Sequence, residues 1–192
     1  MALNLVETIQ KNLGFPPLQK IDPNTHEVKK PEEMSFQDYL PQAAIPVVLL
    51  GLYKFSGTEE GNTALLNGEL QNQLLKTIFG NKTEEVIARV ATHTGNTTDF
   101  TANKMETIAW EALSIVRKDL STNPTDANVK NYLADQRQNI LVHLPASLQI
   151  GDVLNDDTID DRSHKMEGPV SSSMHWIEKL FPSTDRKKEE NF

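Results

Sequence analysis

Apolar residues recur at spacings of three and four along most of this chain, which is the period of a helix with one buried face. Leu5, Val6, Ile9 and Leu13 share such a face and predict a helix over 2–13, with Gly14 as its C-cap and Pro16-Pro17 preventing continuation. Residues 15–34 carry no period and contain the turn signal Asp22-Pro23-Asn24 and the polar run Lys29-Lys30-Pro31-Glu32-Glu33. A connection of that length is unusual inside a domain, so it is either mobile or wrapped on the surface. Ser35 is placed to cap the next helix, through Phe36, Tyr39, Leu40, Ala43, Ala44 and Val47. Pro41 and Pro46 each remove a backbone donor and predict a kinked helix or two short ones, ending near Ser56-Gly57.

The same pattern continues C-terminally. Glu59-Glu60-Gly61-Asn62 reads as a turn or helix start, and Leu66, Leu70, Leu74, Leu75, Ile78 and Phe79 form a stripe closed by Gly80. Thr83 is the expected cap of a helix with Glu84 and Glu85 in its first turn, with Val86, Ile87, Val90 and Ala91 facing inward and Gly95 ending it. The fullest amphipathic face lies between about Thr101 and Asp119, through Ala102, Met105, Ile108, Ala109, Ala112, Leu113 and Val116. A further helix is expected over 126–143 through Val129, Leu133, Gln136 and Ile140, and stops before Pro145. Residues 145–165 read as an acidic loop, Pro169 opens a last helix through Val170, Met174, Ile177 and Phe181, and 183–192 is a charged tail. No run alternates apolar and polar residues as a strand would. The expectation is an all-α bundle of about six or seven helices, one domain over 1–182 with long loops at 15–34 and 145–165.

Composition narrows the functions. The net charge of −8 opposes the phosphate backbone of nucleic acid. With no cysteine, disulfides, zinc–thiolate sites and thiol catalysis are excluded. Glu7 and Gln10 interrupt any signal-like apolar run near the N-terminus, so the expected compartment is the cytoplasm, and the glycosylation-like Asn81-Lys82-Thr83 and Asn96-Thr97-Thr98 should carry nothing. The most apolar stretch, 43–53, would span roughly 16 Å as a helix, about half a bilayer core, and reads as a buried core helix.

Three stretches resemble the YidB-like family of bacterial proteins of unknown function. Ala43-Ala44-Ile45-Pro46-Val47-Val48-Leu49-Leu50-Gly51-Leu52 followed by Thr58-Glu59-Glu60-Gly61 is similar to the family's proline-containing apolar helix and glycine turn. Leu75 to Gly95 resembles its Leu-Phe-Gly and short-helix segment, and Gln136 to Leu148, with Gln138-Asn139-Ile140 and Leu144-Pro145, resembles a recurring C-terminal stretch. The chain departs from the family in having only 9 glycines and extra material at 15–34 and 150–165. The resemblance implies a small helical bundle and assigns no chemistry.

Candidate chemistry is sparse. Asp152, Asp156, Asp157, Asp160 and Asp161 crowd into one stretch with His164 just beyond, and hard cations want several oxygen ligands on a loop. The spacing is not that of an EF-hand and lacks its glycine, so a solvated loop competes with a metal site at Asp152, Asp156, Asp160 and His164. None of His26, His93, His143, His164 and His175 lies three or four residues from another histidine. His93 falls near a helix C-terminus, where a positive charge is favoured, and His143 before Leu144-Pro145 reads as a cap. Ser171-Ser172-Ser173 is a polar helical stretch rather than a nucleophile elbow, and no phosphate-binding glycine loop occurs. Of the two tryptophans, Trp110 and Trp176, the second is expected to cover the core edge rather than serve as an exposed binding anchor.

No catalytic residue and no cofactor is therefore expected. The leading expectation is a non-enzymatic helical protein acting on another protein or on itself, with the apolar element 36–56 completing its core in a partner. The second is a metal- or small-molecule-binding protein using 152–164. Membrane association through 2–13 or 36–56 is weaker, because the polar face of 2–13 lacks an excess of basic residues.

Overall fold

A computed structural model describes residues 3–67, 73–120 and 125–160, except for the side chains of Asn67, Asp126, Ala127, Asp157 and Asp160. The helix expected from Pro169, with Trp176, and the tail over 183–192 lie outside the described residues, as do Leu70 and His164. Among the described residues every regular element is helical, as the 3.6-residue period predicted.

Helix α1 (Leu5–Leu13) starts where the Asn4 side chain accepts the amides of Val6 and Glu7. It ends at Gly14, whose φ of 67° lets its own amide reach Lys11 O and that of Phe15 reach Gln10 O. Gln136 fixes its entry from the far side of the molecule, accepting Leu5 N–H at 3.0 Å and donating to Leu3 O at 2.9 Å.

Helix α2 (Phe36–Phe55) is the axis of the fold. Ser35 Oγ accepts the Asp38 amide at 3.0 Å while its hydroxyl donates to Asp38 Oδ2 at 2.7 Å. The helix then runs 20 residues through Pro41 and Pro46 without a break. Local propensity is overridden here because α2 is buried almost all round, from Tyr39 to Leu52. Its neighbours are α1, α4 (Leu74–Phe79), α5 (Thr83–Thr94), α6 (Thr98–Asp119) and α7 (Asp126–Leu141). A side chain at Gly51 would come within 2.4 Å of the Phe79 ring, so glycine there lets α4 approach closely.

Helix α3 (Glu59–Asn67) begins at the Glu-Glu-Gly-Asn stretch, where Thr58 Oγ1 accepts the Gly61 amide at 2.9 Å. Helix α4 has no cap of its own. Its first two amides, Leu74 and Leu75, are taken by the Glu106 carboxylate of α6 at 2.6 and 3.1 Å, and Trp110 Nε1 donates to the same carboxylate at 2.9 Å. Thr83 does not cap α5 as expected. A 3₁₀ turn over Gly80–Lys82 precedes it, and the Thr83 hydroxyl instead donates to Gly80 O at 2.7 Å. Gly95, with φ 70°, ends α5 as Gly14 ends α1. Thr97 caps α6 and Thr125 caps α7, which stops at Leu141 rather than 143.

The long connection expected at 145–165 is where the structure departs most from the expectation. The stretch 145–160 is not a solvated loop. It forms a 3₁₀ turn (Ala146–Leu148), α8 (Ile150–Val153) and α9 (Asp157–Asp160), and Leu148, Ile150, Val153 and Ile159 are buried in the core.

The stretch 15–34 is wrapped on the surface and tied down. Buried Gln42 of α2 accepts the Gln19 amide at 2.8 Å and donates to Gln19 O and His143 O. Ile21 N–H reaches Val142 O, Ala146 N–H reaches His26 O, and the Tyr39 hydroxyl reaches Val28 O. His143 is no helix cap: its Nδ1 lies 2.9 Å from Gln19 O, holding the same strap. No helix among the described residues is long and apolar enough to cross a membrane.

Candidate functional site

The strap carries a turn that points one carboxylate at a distant serine. Asp22 Oδ1 accepts the amides of Asn24 and Thr25, which hold its carboxyl below the usual range. His26 takes a positive φ of 56°, and the Asp22 amide closes on Glu27 O at 3.0 Å. Glu27 is thereby set beside the 3₁₀ turn after α7. Its Oε1 accepts the Ser147 amide at 2.6 Å and its Oε2 lies 2.9 Å from Ser147 Oγ.

The third member comes from α5. His93 Nδ1 lies 3.2 Å from Ser147 Oγ, and the ring stacks on Tyr39 with centroids 6.2 Å apart. The positive charge expected on His93 is not what this environment favours. Burial lowers its pKa from 6.5, although the charge of Glu27 opposes the shift.

The proton positions in this cluster follow from valence. A carboxylate only accepts, so the Ser147 hydroxyl donates to Glu27 Oε2. Ser147 Oγ is then left to accept, and His93 must carry its proton on Nδ1. The buried Nε2, which has no partner among the described residues, is then a bare lone pair. An orphaned acceptor is less costly than an orphaned N–H.

Ser147 opens onto a groove of about 470 Å³ between α5 and residues 147–149, within the size range of small-molecule sites. Ala88, Thr92, His93 and Leu148 form part of its wall, and Arg89 crosses it. The Arg89 guanidinium donates to Leu148 O at 3.3 Å, Gln149 O at 2.8 Å, Glu85 Oε1 at 2.8 Å and Asp152 Oδ2 at 3.2 Å. Glu85 is held below the usual carboxylate range by Lys82 first and by Arg89 second. The backbone at Gln149 is in the left-handed region, φ 48°, which turns the chain beneath the guanidinium.

The acidic residues singled out in sequence are divided by the fold. Asp152 meets Arg89, while Asp156 meets Lys54 of α2 at 2.8 Å. Burial works to raise the Asp156 pKa, but hydrogen bonds from Lys54 and Thr158 outweigh it and keep the carboxyl low. The side chain of Asp160, and all of His164, lie outside the described residues. Among the described residues no three His, Asp or Glu side chains converge to hold a metal ion. A second groove, about 520 Å³, is lined by Leu75, Asn81, Ile87, Asn103 and Glu106. Of the two carboxylates lining it, Glu84 and Glu106, the second is already engaged as the cap of α4.

Glu27, His93 and Ser147 were not joined by any sequence signal. Ser147 is 120 residues from Glu27 and 54 from His93. Each sits in a commonplace context, a turn, a helix end and a post-proline turn.

The half-buried His93, held toward its neutral form, has a consequence for stability. Its folded pKa lies below the unfolded value, so the unfolded chain binds the proton first as pH falls. The contribution is fully present above about pH 6.5 and is lost as pH drops through that value toward the folded pKa. Urea titrations between about pH 7 and pH 5 should show a steeper loss for the native protein than for His93→Phe, which keeps an aromatic ring against Tyr39. Equal slopes would refute a neutral histidine.

No family model, curated protein or solved structure matches the chain.

Proposed function

We propose that this is a helical small-molecule-binding protein whose ligand occupies the groove between α5 and residues 147–149. One observation carries the reading: the Ser147 hydroxyl, exposed to that groove, is gripped by Glu27 and His93 from two distant segments. Ligand sites typically combine an apolar wall with a few fixed polar groups, and Leu148, Ala88, Arg89 and Ser147 supply that combination. The acidic stretch enters this reading only through Asp152, which helps hold Arg89 at the groove. The resemblance to the YidB-like family is kept alongside it as a proposed kinship that adds no chemistry.

Action on a protein partner drew its main motive from the apolar element 36–56. The chain's own helices enclose most of that element, so the groove carries the proposal instead.

Native mass spectrometry after incubation with a small-molecule cell extract tests the reading. The expected result is a retained added mass, on the order of a few hundred daltons for a groove of this class. Thr92→Trp, which places an indole in the groove from the exposed face of α5, should abolish it. A bare native chain, or equal retention by the folded variant, would reject the groove as the site.

A further inference from the structure

We propose that Ser147 is a nucleophile toward small carboxylic esters bound in this groove, with Glu27 as its proton acceptor. The inference rests on the groove being a ligand site and names the ligand class. Its basis is the proton arrangement derived above. The Ser147 proton already points at Glu27 Oε2, 2.9 Å away, and the Nδ1–H of His93 donates to Oγ from another side. A serine hydroxyl is a weak nucleophile unless a base within hydrogen-bonding reach takes its proton, and that base is usually fixed by a third group. Here the Ser147 amide fixes the base, donating to Glu27 Oε1 at 2.6 Å. The Asx turn at Asp22 holds the backbone of the same segment.

The step balances without an outside oxidant or reductant. Oγ attacks the ester carbonyl carbon and its proton passes to Glu27 Oε2. Collapse of the tetrahedral adduct breaks the ester C–O bond, and the departing alkoxide takes the proton from Glu27 and leaves as the alcohol. Water then attacks the acyl-serine and gives a proton to Glu27. Expulsion of Oγ, which recovers that proton, releases the carboxylic acid. The sum is ester plus water to acid plus alcohol. Throughout, His93 orients the Oγ lone pairs, and Arg89 places a guanidinium in the wall of the same groove.

A small alkyl fluorophosphonate tests the nucleophile directly, because attack by Oγ forms an O–P bond and expels fluoride. With the full chain, intact-mass and peptide analysis should find one adduct on Ser147, absent from Ser147→Ala. Glu27→Gln retains an acceptor for the Ser147 amide but not a base, and should label roughly 100-fold more slowly at an unchanged melting temperature. No adduct on Ser147 in the folded native protein, or equal rates in Glu27→Gln, would overturn the proposal. Retention of a bound mass by a protein that never labels would show that the nucleophile fails while the binding site stands. An adduct that forms equally fast in Thr92→Trp would support the reactive serine and reject the groove as its binding site.

Discussion

Replacing Leu49 by alanine should lower the unfolding free energy by about 2–5 kcal/mol, the usual cost of emptying a fully enclosed leucine site. Leu49 is 0% exposed, in the middle of α2, the helix against which α1, α4, α5, α6 and α7 are packed. Deleting its branched end removes apolar burial and leaves a cavity that five surrounding helices cannot close without disturbing one another. At about 2–4 °C per kcal/mol for a chain of this size, the melting temperature should fall by roughly 4–20 °C. Leu49→Met, which conserves volume, should cost less than about 1.5 kcal/mol. Urea unfolding of both variants measures this, and a loss below about 1 kcal/mol for the alanine variant would contradict an enclosed α2.

Gly61→Ala should also destabilise, although in most helices the same change is favourable by about 1 kcal/mol. An alanine Cβ at this position would sit 1.9 Å from Phe55 O and 2.7 Å from Thr58 Oγ1. The first of these atoms is backbone and cannot rotate away. The turn between α2 and α3 would have to open, and the Thr58 cap on the Gly61 amide would go with it. A loss of about 2–3 kcal/mol is expected. The informative control is Gly14→Ala, where nothing lies within 4 Å of the added carbon and only the left-handed φ of 67° is strained, at about 1–2 kcal/mol. If Gly61→Ala proves neutral or stabilising in chemical denaturation, the close passage of Phe55 O is wrong.

Local chemistry was legible where it is truly local. Ser35, Gly14 and Gly95 do what their residue types predict, because a cap depends on atoms within a few positions. Thr83 shows the limit, since the 3₁₀ turn before it makes its hydroxyl a donor to Gly80 rather than a cap. Pro41 and Pro46 left open a kinked helix or two short ones, and one helix forms because the loss of two amide donors is outweighed by burying one side chain after another against five helices. The residues 145–160 escaped because Leu148, Ile150, Val153 and Ile159 reach the core from short turns, which have no sustained period to detect. The Asp152–Asp156 stretch drew attention by composition, yet its charges answer to Arg89 and Lys54, whose proximity no spacing rule reveals. The Ser147 cluster is invisible for the same reason.

The strap over 15–34 contains no helix of its own, yet it supplies Glu27 and is bound to the 142–147 segment by Ile21, His26 and Gln19. The groove chemistry is therefore an assembled property, present only after the early and late parts of the chain have met. Loosening the strap at its anchors on both sides of Glu27, His26 and Val28, would uncouple Ser147 from its carboxylate while leaving the packing of the other helices on α2 in place. Helical content and competence at the groove are thus separable quantities in this protein, and the strap is where they part.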